Sequence, residues 1–349
     1  MRAKKRKNSL ITYGIVLAGF IIVQALLSAG RLSSLMKGLL VPICVYVVLA
    51  VSLNLVVGIS GELSLGHAGF MCVGAFSGAF FSKCVSSVIT FAPLRLTMAI
   101  AVGAAAAALF GFLIGIPVLR LKGDYLAIVT LAFGEIIKNV MNIFYIGRDS
   151  AGFHLSVKDQ FSLGMAPDGE VLLSGPMGIT GTPKDATFLA GIILIFVTLF
   201  IVQNLIDSRD GRAIMAIRDN RIAAESIGLK VTHYKLMAFT ISAALAGSAG
   251  ALYAHNLATL QAKKFDYNTS ILALVFVVLG GIGNIRGSVI AAVVLTALPE
   301  MLRGLSNYRM LIYSIILIAM MLFNWAPKVL AWRERHFGRF LRRKSGEVG

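Results

Sequence analysis

The chain alternates long apolar runs with short polar interruptions. Ten apolar segments fall at about 10–30, 38–58, 66–82, 96–119, 124–147, 187–206, 235–255, 268–283, 286–303 and 309–326. Runs of roughly 20 apolar residues are long enough to cross a bilayer as a helix. Two segments, 66–82 and 268–283, are short, and the glycine-rich stretch 277–287 also fits a re-entrant element. The pattern therefore predicts an all-α polytopic membrane protein with about ten transmembrane helices, within a range of eight to ten.

Composition narrows the class of protein. Of the 349 residues, 57% are hydrophobic and 14% are charged, and the mean hydropathy is +0.82. Soluble domains are about one quarter charged. These values exclude a soluble enzyme, a disordered chain and a small disulfide scaffold.

The N-terminus has the appearance of a signal peptide, because a basic cluster precedes an apolar run. That run is about 20 residues long, which is longer than the apolar region of a typical signal peptide. We therefore predict an uncleaved first helix with its basic cluster in the cytoplasm.

The distribution of basic residues predicts the orientation. The net charge is +17. When the loops alternate from a cytoplasmic N-terminus, 21 Lys and Arg fall inside and 11 fall outside. Cytoplasmic loops carry the excess of basic residues in membrane proteins. Both termini are thus predicted to be cytoplasmic, in the inner membrane of a bacterium or archaeon.

The loops give a simple domain organisation. We predict a single transmembrane domain over 1–349, because no stretch between the spans is long enough for a soluble domain. Its non-membrane parts are a basic cytoplasmic tail 1–9, an outer loop 148–186, a cytoplasmic loop 207–234 and a second basic tail 327–349.

The residues that usually carry catalysis form no pattern. Three cysteines and five histidines show no metal-ligand spacing, and no Ser/His/Asp or Cys/His arrangement is supported. The sequence has no Gly-x-x-x-x-Gly-Lys-Ser/Thr phosphate loop. We therefore expect no catalytic site, no metal and no cofactor in this chain.

The cytoplasmic loop has the clearest pattern. Asp210 suits a helix N-cap, and Gly228 suits a helix end with positive φ. Asp219 and Asn220 disfavour one straight helix and predict two short ones. Isoleucines form an apolar side of the loop. That side fits either the lipid surface or a groove on a cytoplasmic partner, and the residues alone leave both open.

Five motifs occur in the order of a known family. The loop carries Gly211-Arg-Ala213, Ala216-Ile-Arg-Asp-Asn220 and Ala223-Ala-Glu225 with Gly228. The other four motifs are Asn54-Leu-Val-Val-Gly-Ile-Ser-Gly-Glu-Leu-Ser-Leu-Gly-His-Ala-Gly-Phe70, Leu119-Arg-Leu-Lys-Gly-Asp-Tyr-Leu-Ala-Ile-Val-Thr-Leu-Ala-Phe-Gly-Glu-Ile136, Ser174-Gly-Pro-Met-Gly-Ile179 and Val277-Val-Leu-Gly-Gly-Ile-Gly283. Together they resemble the branched-chain amino acid permeases of ABC importers, LivM type, over about 40–326. Glu62 departs from the family's usual Gln, and Ser174 from its usual Gly.

The resemblance implies one of two membrane subunits of an importer for leucine, isoleucine and valine, working by alternating access. It implies a sister permease in a heterodimer, two cytoplasmic ATPases that bind ATP and Mg²⁺, and a periplasmic or surface substrate-binding protein; we expect no nucleic-acid partner. The implied ATPase-coupling residues are Gly211, Arg212, Ile214, Ile217, Arg218, Asp219, Ala223, Ala224, Glu225 and Gly228, with Ile214 and Ile217 filling a groove on the ATPase.

Polar and glycine residues inside the spans are candidates for the translocation path. They are Asn54, Gly61, Ser64, Gly66, His67, Glu135, Gly280 and Gly281. Each also has a structural interpretation: glycine permits tight helix packing, and Asn54 and His67 suit hydrogen bonds between helices. Gly175 and Gly178 are candidates for an outer gate or docking site.

Glu135 carries the main rival hypothesis. A carboxylate near the bilayer centre is costly and seldom faces lipid. Lys138 lies three residues on and suits an internal ion pair, while the alternative is a place on the path or against the sister subunit. A stand-alone transporter driven by protons or sodium would use Glu135. Another alternative is an ABC permease for a sugar, urea or a short amide.

Overall fold

A computed structural model describes most of the chain. The described residues are 2–302 except 30–32, 87, 122, 150–151 and 166–168, with 311, 312, 314, 315 and 318; no side chain is described for 2–11 or 35. Residues 1–293 form one compact unit and 294–349 a second. The tenth predicted segment, 309–326, lies outside the described residues apart from those five, and so does the tail 327–349.

Helices make up the membrane part, as predicted. They are α1 (Arg2–Ser28), α2 (Ser34–Asn54), α3 (His67–Val85), α4 (Ala92–Val118), α5 (Asp124–Ile143), α6 (Phe188–Asp207), α7 (Arg209–Asp219), α8 (Arg221–Ser226), α9 (Val231–Ala254), α10 (Tyr267–Gly280) and α11 (Ile285–Met301). Among the described residues, six helices are long and apolar enough to cross a membrane: α2 with its π-helical extension, α3, α4, α5, α6 and α9. The helix α3 is longer than its predicted segment, since it runs to Val85.

Several helices begin at side chains that accept a backbone N–H. Ser33 accepts from the amide of Met36 at the start of α2. Thr187 accepts from Ala190 N at 3.2 Å at the start of α6. Asp266 accepts from Thr269 N at 3.1 Å at the start of α10. These side chains satisfy amides that the first helical turn leaves unpaired.

The second helix is broken before the third begins. After Asn54, α2 continues as a π-helical segment, Leu55–Ser60, and ends at Gly61 with φ of +77°. Residues 61–66 are not helical, and α3 starts at His67. Non-helical backbone at membrane depth is tolerated only where protein or a water-filled cavity covers it.

Glycines bring the backbones of α3, α4 and α9 together. A Cβ on Gly103 of α4 would lie 2.7 Å from the carbonyl oxygen of Gly74 of α3. A Cβ on Gly74 would collide with the backbone of Gly247 of α9. Only hydrogen fits at these positions, so the three helices form a close-packed block around which the other elements are arranged.

The outer loop adds small sheets to the helical protein. Strand β1 (Tyr145–Asp149) pairs antiparallel with β2 (Gly152–Ser156) and β3 (Glu170–Ser174), in the order β2-β1-β3. Strand β4 (Ile179–Thr180) pairs with β5 (Thr259–Leu260), which follows α9. The sequence pattern did not predict these strands, since they are short and lie in a polar, glycine-rich stretch.

Candidate coupling surface and translocation path

The cytoplasmic loop folds into two short helices, as predicted. Ser208 caps α7, because its hydroxyl accepts from Gly211 N at 3.0 Å. Asp210, the predicted cap, instead lies in the first turn of α7, where a carboxylate still favours the helix dipole. Asn220 separates the helices and caps α8 by accepting from Ala223 N at 3.0 Å. Gly228 follows α8 with φ of +86°, in agreement with the prediction.

The apolar side of the loop faces the chain itself. Ile214 and Ile217 are 1% and 2% exposed, and Ile217 packs in a small core with Val231 at the start of α9. This placement corrects the expectation that both isoleucines fill a groove on a partner, because a side chain buried in its own chain has no free surface. Ile222 and Ile227 are 80% and 75% exposed. They are the apolar side chains that the loop presents outward.

Some of the other predicted coupling residues are buried and support the loop, and the rest lie on its surface. Gly211 and Ala224 are buried, and a Cβ on Gly211 would collide with the carbonyl oxygen of Leu205. The exposed residues of the set are Arg212, Arg218, Asp219, Ala223, Glu225 and Gly228. Among them, Glu225 accepts from Arg221 at 2.9 Å. The loop therefore offers a surface of mixed charge around two exposed isoleucines.

Arg218 connects the loop to the broken helix. Its Nη1 donates to the carbonyl oxygen of Gly58 at 2.8 Å, and its Nε and Nη2 donate to Asp219 Oδ1 at 3.0 and 2.8 Å. A Cβ on Gly61 would lie 2.6 Å from Cγ of Arg218. The helix α7 thus contacts the π-helical segment directly.

The two glycine-rich segments meet beside α7. Asn54 Oδ1 accepts from Gly283 N at 2.9 Å, and Asn54 Nδ2 donates to Ser288 Oγ at 2.9 Å. The backbones of Gly280 and Gly287 are in contact, so that a Cβ on either would collide with the other. Gly281 has φ of +93° in the turn between α10 and α11. Asn54, Gly61, Gly280 and Gly281 therefore belong to one region.

A second polar cluster surrounds the start of α3. His67 is 1% exposed, and its Nε2 lies 2.9 Å from the hydroxyl of Ser52. Gly66 packs against the backbone of Thr130 in α5. Ser64 is fully buried, and neither its hydroxyl nor His67 Nδ1 has a hydrogen-bond partner among the described residues. The start of α3 is therefore surrounded by a buried polar cluster rather than by apolar contacts alone.

Glu135 lies apart from these clusters. One carboxylate oxygen accepts from Lys138, and the other accepts from the backbone N of Tyr267 at 3.2 Å. Tyr267 begins α10, whereas Gly280 ends it. The carboxylate therefore pairs with Lys138 and favours the positive end of the α10 dipole. These contacts agree with the interpretation of Glu135 and Lys138 as an internal ion pair.

Among the ion pairs that the sequence did not predict, two have both side chains largely buried. Glu62, after the helix break, pairs with Lys235 near the start of α9. Arg95, at the start of α4, forms two hydrogen bonds of 2.8 Å with Asp185, and both side chains are about one tenth exposed. In the sequence, the only indication of these ion pairs was a charged residue near the end of an apolar segment. In each pair the partner lies 90 or more residues away.

The outer-loop glycines lie inside the fold. Gly175 and Gly178 are buried, with φ of +45° and +72°. A Cβ on Gly175 would press on Tyr145, and one on Gly178 would collide with Leu260. Both glycines shape the turn between β3 and β4. Met177, which lies between them and is 62% exposed, presents the surface there.

The chain has the features of a permease, a subunit that conducts a solute across a membrane. These features are the membrane helices, the interrupted second helix and the α7–α8 loop that is hydrogen-bonded to it. No group of three or more potential metal-ligating side chains occurs in the part of the chain that the structure describes. Residues 35–323 match the family model described as branched-chain amino acid transport system / permease component. The chain belongs to this family and is a multi-pass protein of the cytoplasmic membrane.

Curated relatives agree with this assignment. The chain is 36% identical over 295 residues to the high-affinity branched-chain amino acid transport system permease protein LivM of Escherichia coli and to that of Salmonella typhimurium. Each match covers 82% of this chain and 67% of the relative. It is 24% identical over 213 residues to the nucleoside ABC transporter permease protein NupC of Lactococcus lactis, covering 61% of this chain and 63% of the relative. No solved structure gave a significant match.

Proposed function

We propose that this chain is one membrane subunit of an ATP-driven importer for branched-chain amino acids. Its partners are a second permease subunit, two cytoplasmic ATPases and a substrate-binding protein. ATP is hydrolysed in the partner subunits, and this chain supplies half of the path. The family match and the similarity to the two LivM proteins support the cargo.

The contact between Arg218 and Gly58 is the observation that carries the mechanism. The ATPase binds the exposed surface of the α7–α8 loop, in which Ile222 and Ile227 are the apolar anchors. Movement of α7 is then passed through Arg218 to the π-helical segment. Hydrogen bonds with a charged donor are stronger than neutral ones, so this contact suits the transfer of movement between the two elements.

The break between α2 and α3 is the part of the membrane domain that shifts when α7 moves. Gly58 packs against Gly283, and Asn54 bonds the same turn, so a shift of the segment also shifts the ends of α10 and α11. The buried cluster includes Ser64, which lies within the break, and His67, which begins α3 directly after it. Displacement of the segment would expose this cluster to one side of the membrane at a time.

Reconstituted transport tests the proposal. The complex is purified in gentle detergent, its subunits are identified by mass, and it is placed in proteoliposomes with its binding protein. We expect ATP-dependent uptake of radiolabelled leucine, isoleucine and valine. An ATPase with its phosphate-loop lysine replaced is the matched control and should give no uptake. Uptake that follows a proton or sodium gradient without ATP would contradict the proposal, and ATP-dependent uptake of another solute alone would contradict the cargo.

A further inference from the structure

Four large apolar side chains are exposed together in the loop between α5 and α6. They are Phe153 and Leu155 of β2, Val157 directly after the strand and Phe161 in the next turn, and they are 57–96% exposed. This turn is held against the strand, since the hydroxyls of Ser156 and Ser162 lie 2.9 Å apart. The four side chains therefore belong to one surface, which we call the β2 patch.

The alternation along β2 is the reverse of that in a strand of a soluble protein. Successive side chains of a strand point to opposite faces. Phe153 and Leu155 are on the exposed face, whereas His154 points the other way, where its Nε2 lies 2.9 Å from Oδ2 of the buried Asp149 side chain. A half-solvated sheet keeps its apolar face on the core. Apolar residues outward and polar residues inward are typical of strands that face lipid.

A ring contact places the β2 patch at the end of a membrane helix. The rings of Phe153 and Phe80 of α3 have centroids 6.1 Å apart. The 19 residues of α3 extend about 28 Å, which is close to the thickness of about 30 Å of the hydrocarbon core. Phe80 precedes the last residue of α3, Val85, by about 7.5 Å along the helix axis. Phe153 therefore lies at the level where α3 leaves the hydrocarbon.

Basic side chains border the β2 patch. The guanidinium of Arg148 lies 5.8 Å from the centroid of the Phe153 ring, and its Nη1 donates to the carbonyl oxygen of Cys84 near the end of α3 at 3.4 Å. Lys158 is exposed beside the patch. Aromatic rings belong to the level of the lipid headgroups, and basic side chains there keep their charge in the polar layer.

The strand that carries the patch also needs a cover. Among the described residues, β2 is at the edge of its sheet, in the order β2-β1-β3. An apolar edge strand left in water is a site of aggregation. Lipid at the level of the headgroups covers the apolar face of β2, and the position of Phe153 beside α3 favours lipid over a partner that binds from the water.

We propose that the β2 patch inserts into the bilayer at the level of the phospholipid headgroups and anchors the loop between α5 and α6. This loop then lies on the membrane instead of projecting into water. Strand β3 of the same sheet leads to the turn at Gly175 and Gly178, so the anchor also fixes the position of that turn. Contact with lipid is independent of the cargo and of ATP.

Photocrosslinking in the native membrane tests the anchor. The photoreactive residue p-benzoylphenylalanine replaces Phe161 in the full chain, the membrane is illuminated, and adducts are identified by mass. We expect an adduct with phospholipid. The same residue in place of Phe112, which is exposed on the spanning helix α4, is the positive control for lipid adducts. In place of Met177, which is exposed in the same loop but outside the patch, it should give a several-fold lower yield.

The other outcomes overturn the proposal. An adduct of position 161 with the binding protein or with a second permease subunit would assign the patch to that partner. No adduct at position 161, when position 112 gives one, would show that the patch faces water. An equal yield of lipid adduct at positions 161 and 177 would remove any special role of the patch.

Charge substitution tests whether the apolar side chains hold the loop in lipid. With p-benzoylphenylalanine in place of Val157, the lipid adduct should be lost in L155E/F161E, because carboxylates disfavour insertion. The matched variant L155M/F161M stays apolar and should keep the adduct. Both substituted side chains are exposed, so neither variant removes a core contact. A lipid adduct of unchanged yield in L155E/F161E would overturn the insertion.

Discussion

Arg218 donates to the carbonyl oxygen of Gly58 at 2.8 Å, although the two residues are 160 positions apart in the chain. The donor lies on α7, and the acceptor lies in the π-helical segment that ends α2. The contact joins the α7–α8 loop directly to the interrupted end of the second membrane helix.

Removing this contact should separate ATP hydrolysis from uptake. We expect R218M to lower leucine uptake by about tenfold at similar membrane expression, while ATP hydrolysis continues. R218K keeps the charge but lacks the guanidinium fork that reaches Gly58 and Asp219 together, so it should restore uptake only in part. D219N leaves the Gly58 bond in place and should have a smaller effect than R218M. Parallel assays of uptake and ATP hydrolysis check this, and equal loss of both in R218M would contradict it.

Isoleucines in the same loop should have opposite roles. I217A removes a buried side chain and should lower the free energy of unfolding by about 2–5 kcal/mol. I222E changes an exposed side chain and should leave stability nearly unchanged while the ATPase no longer co-purifies. Thermal unfolding of the purified chain and co-purification of the ATPase provide the two readouts. Retained ATPase binding in both I222E and the double variant I222E/I227E would rule out the exposed isoleucines as anchors.

Glu135 should behave as a structural residue. E135Q keeps an oxygen that accepts from Tyr267 N, and we expect leucine uptake to persist. E135A removes that acceptor and the partner of Lys138, and should lower the melting temperature. Uptake is measured at several pH values and with or without sodium. Gradient-dependent uptake that E135Q abolishes would instead assign Glu135 to ion coupling.

His255 should make the outer side of the protein sensitive to acid. Its ring is buried just after α9 and donates from Nδ1 to the carbonyl of Ala251 at 2.8 Å. Burial lowers the pKa of His255, with a smaller lowering from Arg95, against opposing effects of the Ala251 bond and Asp185. The folded protein thus favours the neutral ring. The stability that this provides is complete above the unfolded pKa of about 6.5 and declines as the pH falls below it.

The corresponding measurement is the melting temperature of the complex between about pH 8 and about pH 5. H255Q cannot take up a proton, so its melting temperature should fall less on acidification than that of the unmodified protein. H233Q changes an exposed histidine on α9 and is the control. The same pH slope in H255Q and in the unmodified protein would contradict the assignment.

Local physical rules made part of this structure predictable. Long apolar runs predicted the membrane helices, because a helix forms all the hydrogen bonds of its backbone within one segment and can therefore lie in lipid. Asn220 and Gly228 gave the two-helix loop, since cap and turn preferences act over a few residues. The tail 327–349, the position of the termini and the exact number of spans stay predictions.

Other features depend on contacts that no local pattern reveals. An amphipathic loop does not say whether its apolar side faces its own protein or a partner, so the placement of Ile214 was wrong and that of Ile222 was missed. The pairing of Arg95 with Asp185 joins segments 90 residues apart. The outer strands have no run of alternating residues long enough to stand out from a loop. In each case the missing information was the tertiary neighbour.

The glycine contacts among α3, α4 and α9 have a mechanical consequence. Where backbone touches backbone at Gly74, Gly103 and Gly247, no layer of side chains can change rotamer to let one helix slide past another. The three helices therefore form a rigid block that does not rearrange internally. In the proposed importer, movement of the α7–α8 loop therefore cannot be absorbed by small adjustments within this block, and it displaces the interrupted helix instead.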